Sequence, residues 1–111
     1  NLTMKEVQQK EGKKIIRHIM PGDYIVLLDE RGKEYTSVSL AKHLNELQGK
    51  VNHVQFVIGG PYGFSEEVYI RANEKLSLSR LTYSHQMVRL IFMEQLYRSF
   101  TILKGEPYHH V

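Results

Sequence analysis

Phe56-Val57-Ile58-Gly59-Gly60-Pro61-Tyr62-Gly63 runs an apolar strand into a turn of three glycines and one proline. Ser65, Glu66 and Glu67 follow at once, an N-cap and two acidic residues suited to the first turn of a helix. Open α/β sheets build ligand crevices in this way, because backbone without side chains lets a small molecule lie against the peptide groups at the carboxyl end of a strand. The same turn also serves merely to close a βα connection. A second polar stretch, Leu76-Ser77-Leu78-Ser79-Arg80-Leu81-Thr82-Tyr83-Ser84-His85-Gln86-Met87, feeds the last long helix and puts His85 at its mouth. His85 can move a proton, or it can be no more than a cap-region histidine. Arg89 and Arg98 offer fixed positive charge, but Glu94 and Arg98 also stand four apart, the spacing of an intrahelical ion pair. Tyr97 fits the core by pattern. Tyr108, His109 and His110 lie near the end, and the neighbouring histidines have no partner at metal-ligand spacing. Neither a dinucleotide fingerprint, a P-loop nor a nucleophile elbow is present. Taken singly, these residues do not specify an enzyme.

The elements that must position them can be read from period and punctuation. Thr3-Met4-Lys5-Glu6 is a capping box, which predicts a helix from about Met4 to His18, broken by Pro21-Gly22-Asp23. Tyr24-Ile25-Val26-Leu27-Leu28 is a continuous apolar run, the pattern of a strand covered on both faces. Asp29 to Lys33 reads as a polar turn. Ser37 or Ser39 is expected to cap a second helix, with Leu40, Ala41, Leu44 and Leu47 on its apolar face, ending near Gln48-Gly49. Val54 to Ile58 predicts a second buried strand, Glu66 to about Glu74 a third helix, and Leu76 to Ser79 a short third strand. The last helix is expected from about His85 to Leu103, stopped by Lys104-Gly105. Met87, Val88, Leu90, Ile91, Phe92, Met93, Leu96, Tyr97 and Phe100 go nearly all the way round it. Such a helix must be covered on all sides, by the sheet and by a second subunit. Alternating helices and strands predict one α/β domain over residues 1–111, with a parallel sheet flanked by helices. Three strands make a thin sheet, and a further N-terminal part is expected before residue 1.

Composition bounds the partners. The 111 residues, 41% apolar, suffice for one small domain with a real core. Without cysteine there is no disulfide, thiolate metal site or Cys nucleophile, which fits a reducing compartment and a cytoplasmic protein. No run approaches a membrane-spanning length, so no membrane partner is expected. The net charge of +3 is distributed unevenly. Residues 1–70 hold nine Lys/Arg and nine Asp/Glu, whereas residues 71–111 hold six against three. A basic C-terminal third can attract a polyanion, though an excess of three is also ordinary for a solvated surface.

Taken together the motifs are more specific. The segments 56–63 and 76–89, Glu-Gln-Leu-Tyr-Arg-Ser-Phe at 94–100, Gly-Glu-Pro-Tyr-His-His at 105–110 and Leu-Asp-Glu-Arg-Gly-Lys at 28–33 closely resemble the RlmH family. These are bacterial SPOUT-class methyltransferases of large-subunit ribosomal RNA. The resemblance implies a parallel α/β fold with a C-terminal trefoil knot, a homodimer across the last helix, and S-adenosylmethionine in the knotted crevice. It implies methylation at N3 of a pseudouridine in the helix 69 loop of 23S rRNA, in the assembled ribosome, with no metal. Leu28, Gly59 and the run Leu78, Ser79, Arg80, Leu81, Thr82 and Tyr83 would cradle the cofactor, while His85, Arg89, Tyr97, Arg98, Tyr108 and His109 would lie toward the RNA. The attacking imide nitrogen must lose a proton, which His109 or His85 could accept, while Arg89 or Arg98 could stabilise the anion. Family members have a strand and a helix ahead of the point where this sequence starts. The alternatives are a SPOUT enzyme with a tRNA or different rRNA target, and a non-catalytic RNA-binding or ribosome-associated module.

Overall fold

The computed structural model describes residues 2–60, 62–79, 81 and 83–105. The order is α1 (Met4–Arg17), β1 (Tyr24–Glu34), α2 (Ser37–Lys50), β2 (Val54–Ile58), α3 (Glu66–Arg71), β3 (Glu74–Ser77) and α4 (His85–Lys104). The three strands form one parallel sheet in the order β2-β1-β3. Side chains alternate across β1, so the apolar run splits between two cores. Ile25 and Leu27 face α1 and α3 together with Phe64 and Val68. Val26 and Leu28 face α2 and α4 together with Leu40, Leu44, Leu76 and Phe92. Helices thus cover both sides of the sheet, as the unbroken apolar strand requires.

Local chemistry sets the ends. The Thr3 hydroxyl accepts from the Glu6 N–H at 3.1 Å and the Glu6 carboxylate accepts from the Thr3 N–H at 3.2 Å, completing the capping box. The second helix is capped differently from expectation. Thr36 is its N-cap, and Ser39 is the reciprocal partner in a capping box, with both bonds at 2.9–3.0 Å. Ser65 and Ser84 cap α3 and α4. Gly105, at φ 73°, ends α4 in the left-handed conformation that glycine adopts freely.

The third helix and strand both fall earlier than the sequence suggests, for one reason. Asn73 grips β1 twice: its side-chain oxygen accepts from the Ile25 N–H at 2.7 Å, and its own N–H donates to the Ile25 carbonyl at 2.9 Å. That grip ends α3 at Arg71, sets Val26 opposite Glu74, and releases Leu78 and Ser79 from the ladder as loop.

β1 also runs past its apolar stretch. The expected polar turn at 29–33 belongs to the strand, with a break in the ladder: Leu28 and Lys33 both pair with Leu76. Gly32 makes this possible, since a Cβ there would lie 2.6–2.7 Å from backbone atoms of Lys75 and Leu76. Backbone in a sheet cannot move aside cheaply. Gly32→Ala is therefore expected to lower stability by about 1–3 kcal/mol. Gly49→Ala, in open space on α2, is expected to raise it by about 0.5–1 kcal/mol. Urea unfolding of the two variants checks the opposite signs.

Candidate functional site

The carboxyl ends of the three strands open into a cleft of about 680 Å³, within the range of small-molecule sites. Its walls come from every strand exit: Leu28 to Arg31 after the apolar part of β1, Ile58 to Gly60 after β2, and Leu76, Leu78 and Ser79 at β3. Tyr62, Phe64, Tyr69, Leu81, Tyr83, His85 and Val88 also line it. Of the residues singled out from the sequence, the structure brings together Leu28, Gly59, Leu78, Ser79, Leu81, Tyr83 and His85. Arg80, Thr82, Tyr108 and His109 lie outside the described residues.

Arg89 and Arg98 do not line this cleft. Arg89 is exposed, one helical turn beyond His85. Arg98 lies 13 residues along α4 from His85, about 20 Å at 1.5 Å per residue. It pairs with Glu94 at 2.9 Å, so the intrahelical reading of these two residues holds.

The glycine turn is filled from within. A Cβ on Gly59 would stand 3.0 Å from two atoms of the Phe64 ring, and one on Gly60 would stand 2.5–2.6 Å from the Glu11 carboxylate oxygens. Phe64 itself is buried and meets Tyr69 edge-on, with centroids 5.7 Å apart. The backbone of the turn thus forms part of the cleft wall, with the Phe64 ring packed against it. Opposite, Leu81 and Tyr83 are exposed, and the Leu81 N–H donates to the Ser79 hydroxyl at 3.0 Å. These contacts make an apolar slot edged by backbone amides and carbonyls, suited to a flat heterocycle bonded at its rim.

Sequence reasoning missed the polar end of the cleft, made by Asp29, Arg31 and Tyr69. The Asp29 side chain is 7% exposed. It accepts from the Tyr69 hydroxyl in a short bond and from the Arg31 backbone N–H at 2.9 Å. The Arg31 guanidinium donates to the Tyr69 hydroxyl at 2.7 Å. Burial pushes the Asp29 carboxyl upward, but the Tyr69 hydroxyl and Arg31 outweigh it and hold the group below its usual value. Burial and the Asp29 charge push the Tyr69 phenol above its usual value. At neutral pH the triad is carboxylate, neutral phenol and guanidinium. The run Leu28-Asp29-Glu30-Arg31 could have flagged the first two members, because charged residues at a strand exit face the crevice of a parallel sheet. Nothing local connects Tyr69 to them.

A carboxyl held below its unfolded value contributes stability above the ordinary pKa of 3.8 and loses it as pH falls through the folded value. Asp29→Asn is therefore expected to melt at lower temperature than the parent at pH 7. The gap should close progressively below about pH 5. Thermal melts across that range check it, and a gap that does not change with pH would assign the loss to packing alone.

Comparison with known proteins places this geometry. The family described as "Predicted SPOUT methyltransferase" matches residues 1–109. A protein of Parabacteroides distasonis named ribosomal RNA large subunit methyltransferase H is 55% identical over 99% of this chain and 71% of its own length. Proteins of the same name from Bacteroides thetaiotaomicron and Christiangramia forsetii are 56% and 54% identical over the same shares. With a family match across 1–109 and relatives more than half identical along its length, the chain belongs to the RlmH family of SPOUT methyltransferases.

Proposed function

We propose that this chain methylates large-subunit ribosomal RNA with S-adenosylmethionine as donor, at N3 of a pseudouridine in the helix 69 loop of the assembled ribosome. The observation that carries the reading is the gathering of Leu28, Gly59, Leu78, Ser79, Leu81 and Tyr83 around one cleft at the strand ends, in a chain whose relatives are named for rRNA methylation. The residues present fit such a donor. Leu28, Ile58 and Leu78 offer apolar surface to an adenine ring, the Gly59 turn offers backbone, and the Asp29–Arg31 end offers charge. The donor supplies an activated methyl on a sulfonium, so the protein's work is orientation, exclusion of water and management of a proton.

His85 is the described residue placed for the proton. It is the first residue of α4, exposed, and in the cleft wall, so a base entering from solvent would meet its ring. His109 is the other candidate acceptor, with Tyr108 a stacking partner for an extruded base. Arg89, one turn from His85, is suited to a carbonyl or a phosphate of the RNA. Arg98 belongs in this reading only through a second copy of the chain. The trefoil knot of the family would pass the C-terminal part of the chain through a loop.

A homodimer is part of the proposal. On α4, Val88, Phe92 and Leu96 pack on the sheet. Leu90, Met93 and Tyr97 are 66%, 62% and 56% exposed, and Met87 and Phe100 extend the apolar face along the helix. A stripe of that length is a protein-binding surface, and self-association buries it with matching chemistry.

Three outcomes are expected. Leu90→Asp with Met93→Asp should shift sedimentation from dimer to monomer; a parent chain that is monomeric at high micromolar concentration would overturn the dimer. Gly59→Val should drive the Phe64 ring toward the cleft and weaken S-adenosylmethionine at least about 10-fold in calorimetry, while the far-ultraviolet spectrum is kept. Methyl transfer should be found with intact ribosomes lacking the modification, and deletion of residues 107–111 should reduce it at least about 100-fold with donor affinity within a few-fold. Transfer to tRNA, or none to any RNA despite donor binding, would replace this reading by one of its alternatives.

A further inference from the structure

Arg31 is the one permanent cation among the described residues that line the cleft. It follows Leu28 by three positions, on the segment that Gly32 pins against β3. One edge of its guanidinium is already committed: Nη2 donates to the Tyr69 hydroxyl at 2.7 Å, and Nε lies 3.5 Å from Asp29 Oδ1. The Arg31 backbone N–H donates to that same Asp29 oxygen at 2.9 Å. Asp29 is in turn buried, so the hold on Arg31 is built from inside the fold. The side chain as a whole is nevertheless 72% exposed. A guanidinium carries five N–H donors in a planar fork, and the inner edge uses only part of them. The outer edge, Nη1 with the second hydrogen of Nη2, has the geometry that accepts two oxygens side by side.

Two anions could present such oxygens at this place: the carboxylate of an amino-acid moiety and a phosphate of RNA. The charge balance favours the first. Asp29 cancels the charge of Arg31 at long range, so the pair adds little to a field that attracts a polyanion. A neutral pair with one fork turned outward is suited to short-range recognition of an amino-acid moiety, whose carboxylate and ammonium cancel. The same cleft also holds the apolar surface of Leu28, Ile58 and Leu78, so a ligand with an apolar ring and an amino-acid group can meet both.

Resting on the donor reading above, we propose that the outer edge of Arg31 receives the α-carboxylate of the methionine half of S-adenosylmethionine, with Tyr69 and Asp29 as positioning residues for the guanidinium. This assigns polarity to the cleft: adenosine toward Gly59 and Leu78, amino-acid half toward the exit of β1. It also gives Tyr69 a purpose beyond its edge-on contact with Phe64.

Calorimetry with three ligands tests the assignment. S-adenosylmethionine and S-adenosylhomocysteine carry the carboxylate; 5′-methylthioadenosine has the same adenosine, and the thioether of S-adenosylhomocysteine, but no amino-acid half. Arg31→Ala is expected to weaken the first two by about 10- to 100-fold, the loss of a charged bidentate contact, and to leave the third within about 2-fold. Arg31→Lys, which keeps charge but not the fork, should fall between parent and Arg31→Ala. Tyr69→Phe should weaken only the two carboxylate ligands, by less than Arg31→Ala does. Equal loss for all three ligands would mean that Arg31 shapes the loop, and would overturn the proposal. Unchanged donor affinity would overturn it too, and a ribosome-binding salt slope reduced by about one would then make Arg31 a phosphate contact. If the parent chain binds none of the three, the donor reading itself fails, and this assignment fails with it.

Discussion

Along its apolar run, strand β1 has neither a free face nor a free edge. Helices cover Ile25 and Leu27 on one side and Val26 and Leu28 on the other, while β2 and β3 pair along its two edges. Ile25 and Leu27 have no exposed surface at all. Burial on this scale, at roughly 25 cal/mol per Å² of apolar surface, makes β1 the element that the others must fit. The consequence reaches the site directly. Leu28 is the last residue of the apolar run, and the chain that leaves it carries Asp29, Glu30 and Arg31 into the cleft. The position of those charges is therefore fixed by core packing one to three residues upstream.

The polar bonding that locks the sheet lies at the other end. At the amino ends of the strands, Asp23 accepts from the Met20 N–H at 2.8 Å and from the Gln55 amide at 2.7 Å. The Tyr24 hydroxyl donates to Glu74 at 2.5 Å, and His43 of α2 meets the same carboxylate at 2.7 Å. Burial and the Glu74 charge push the Tyr24 phenol up to about 12, so it remains a donor throughout the neutral range. These contacts join β1, β2, β3 and α2 where their side chains can interlock. The carboxyl ends can then be built from glycines and loops, which bind ligands well and hold a fold together poorly.

How much was legible in the residues follows from the range of the forces involved. The buried strand β1, the Thr3 and Ser65 caps, the basic-then-glycine stop of α4 and the order of elements are set by neighbours in sequence, and the structure has them, whereas β2, expected to be buried, is half-buried along its whole length. The cap of α2 was misplaced because Thr36, Ser37 and Ser39 are all good caps, and only backbone geometry selects Thr36. The early end of α3 depends on Asn73 reaching Ile25, a pairing 48 positions apart. The Asp29–Tyr69 bond spans 40 positions and likewise has no local signature. In the site, the residues that line the cleft through backbone turns were readable as motifs, while the clamp that fixes a charge there was not.

Helix α4 connects the two surfaces that any account of function needs. Its first turn places His85 in the cleft wall, while its later turns expose Leu90, Met93 and Tyr97. Because Phe92 packs on Phe56 of β2, with ring centroids 4.8 Å apart, the helix cannot turn about its axis without opening the core. The azimuth of the exposed stripe is therefore tied to the azimuth of His85. Any body that docks on the stripe is held at a fixed orientation to the cleft, and Arg89 lies on the helix between these two regions. A rigid helix with one end in a site and one face toward a partner lets a second protein surface complete that site without a flexible linker, since packing rather than loop closure sets the alignment.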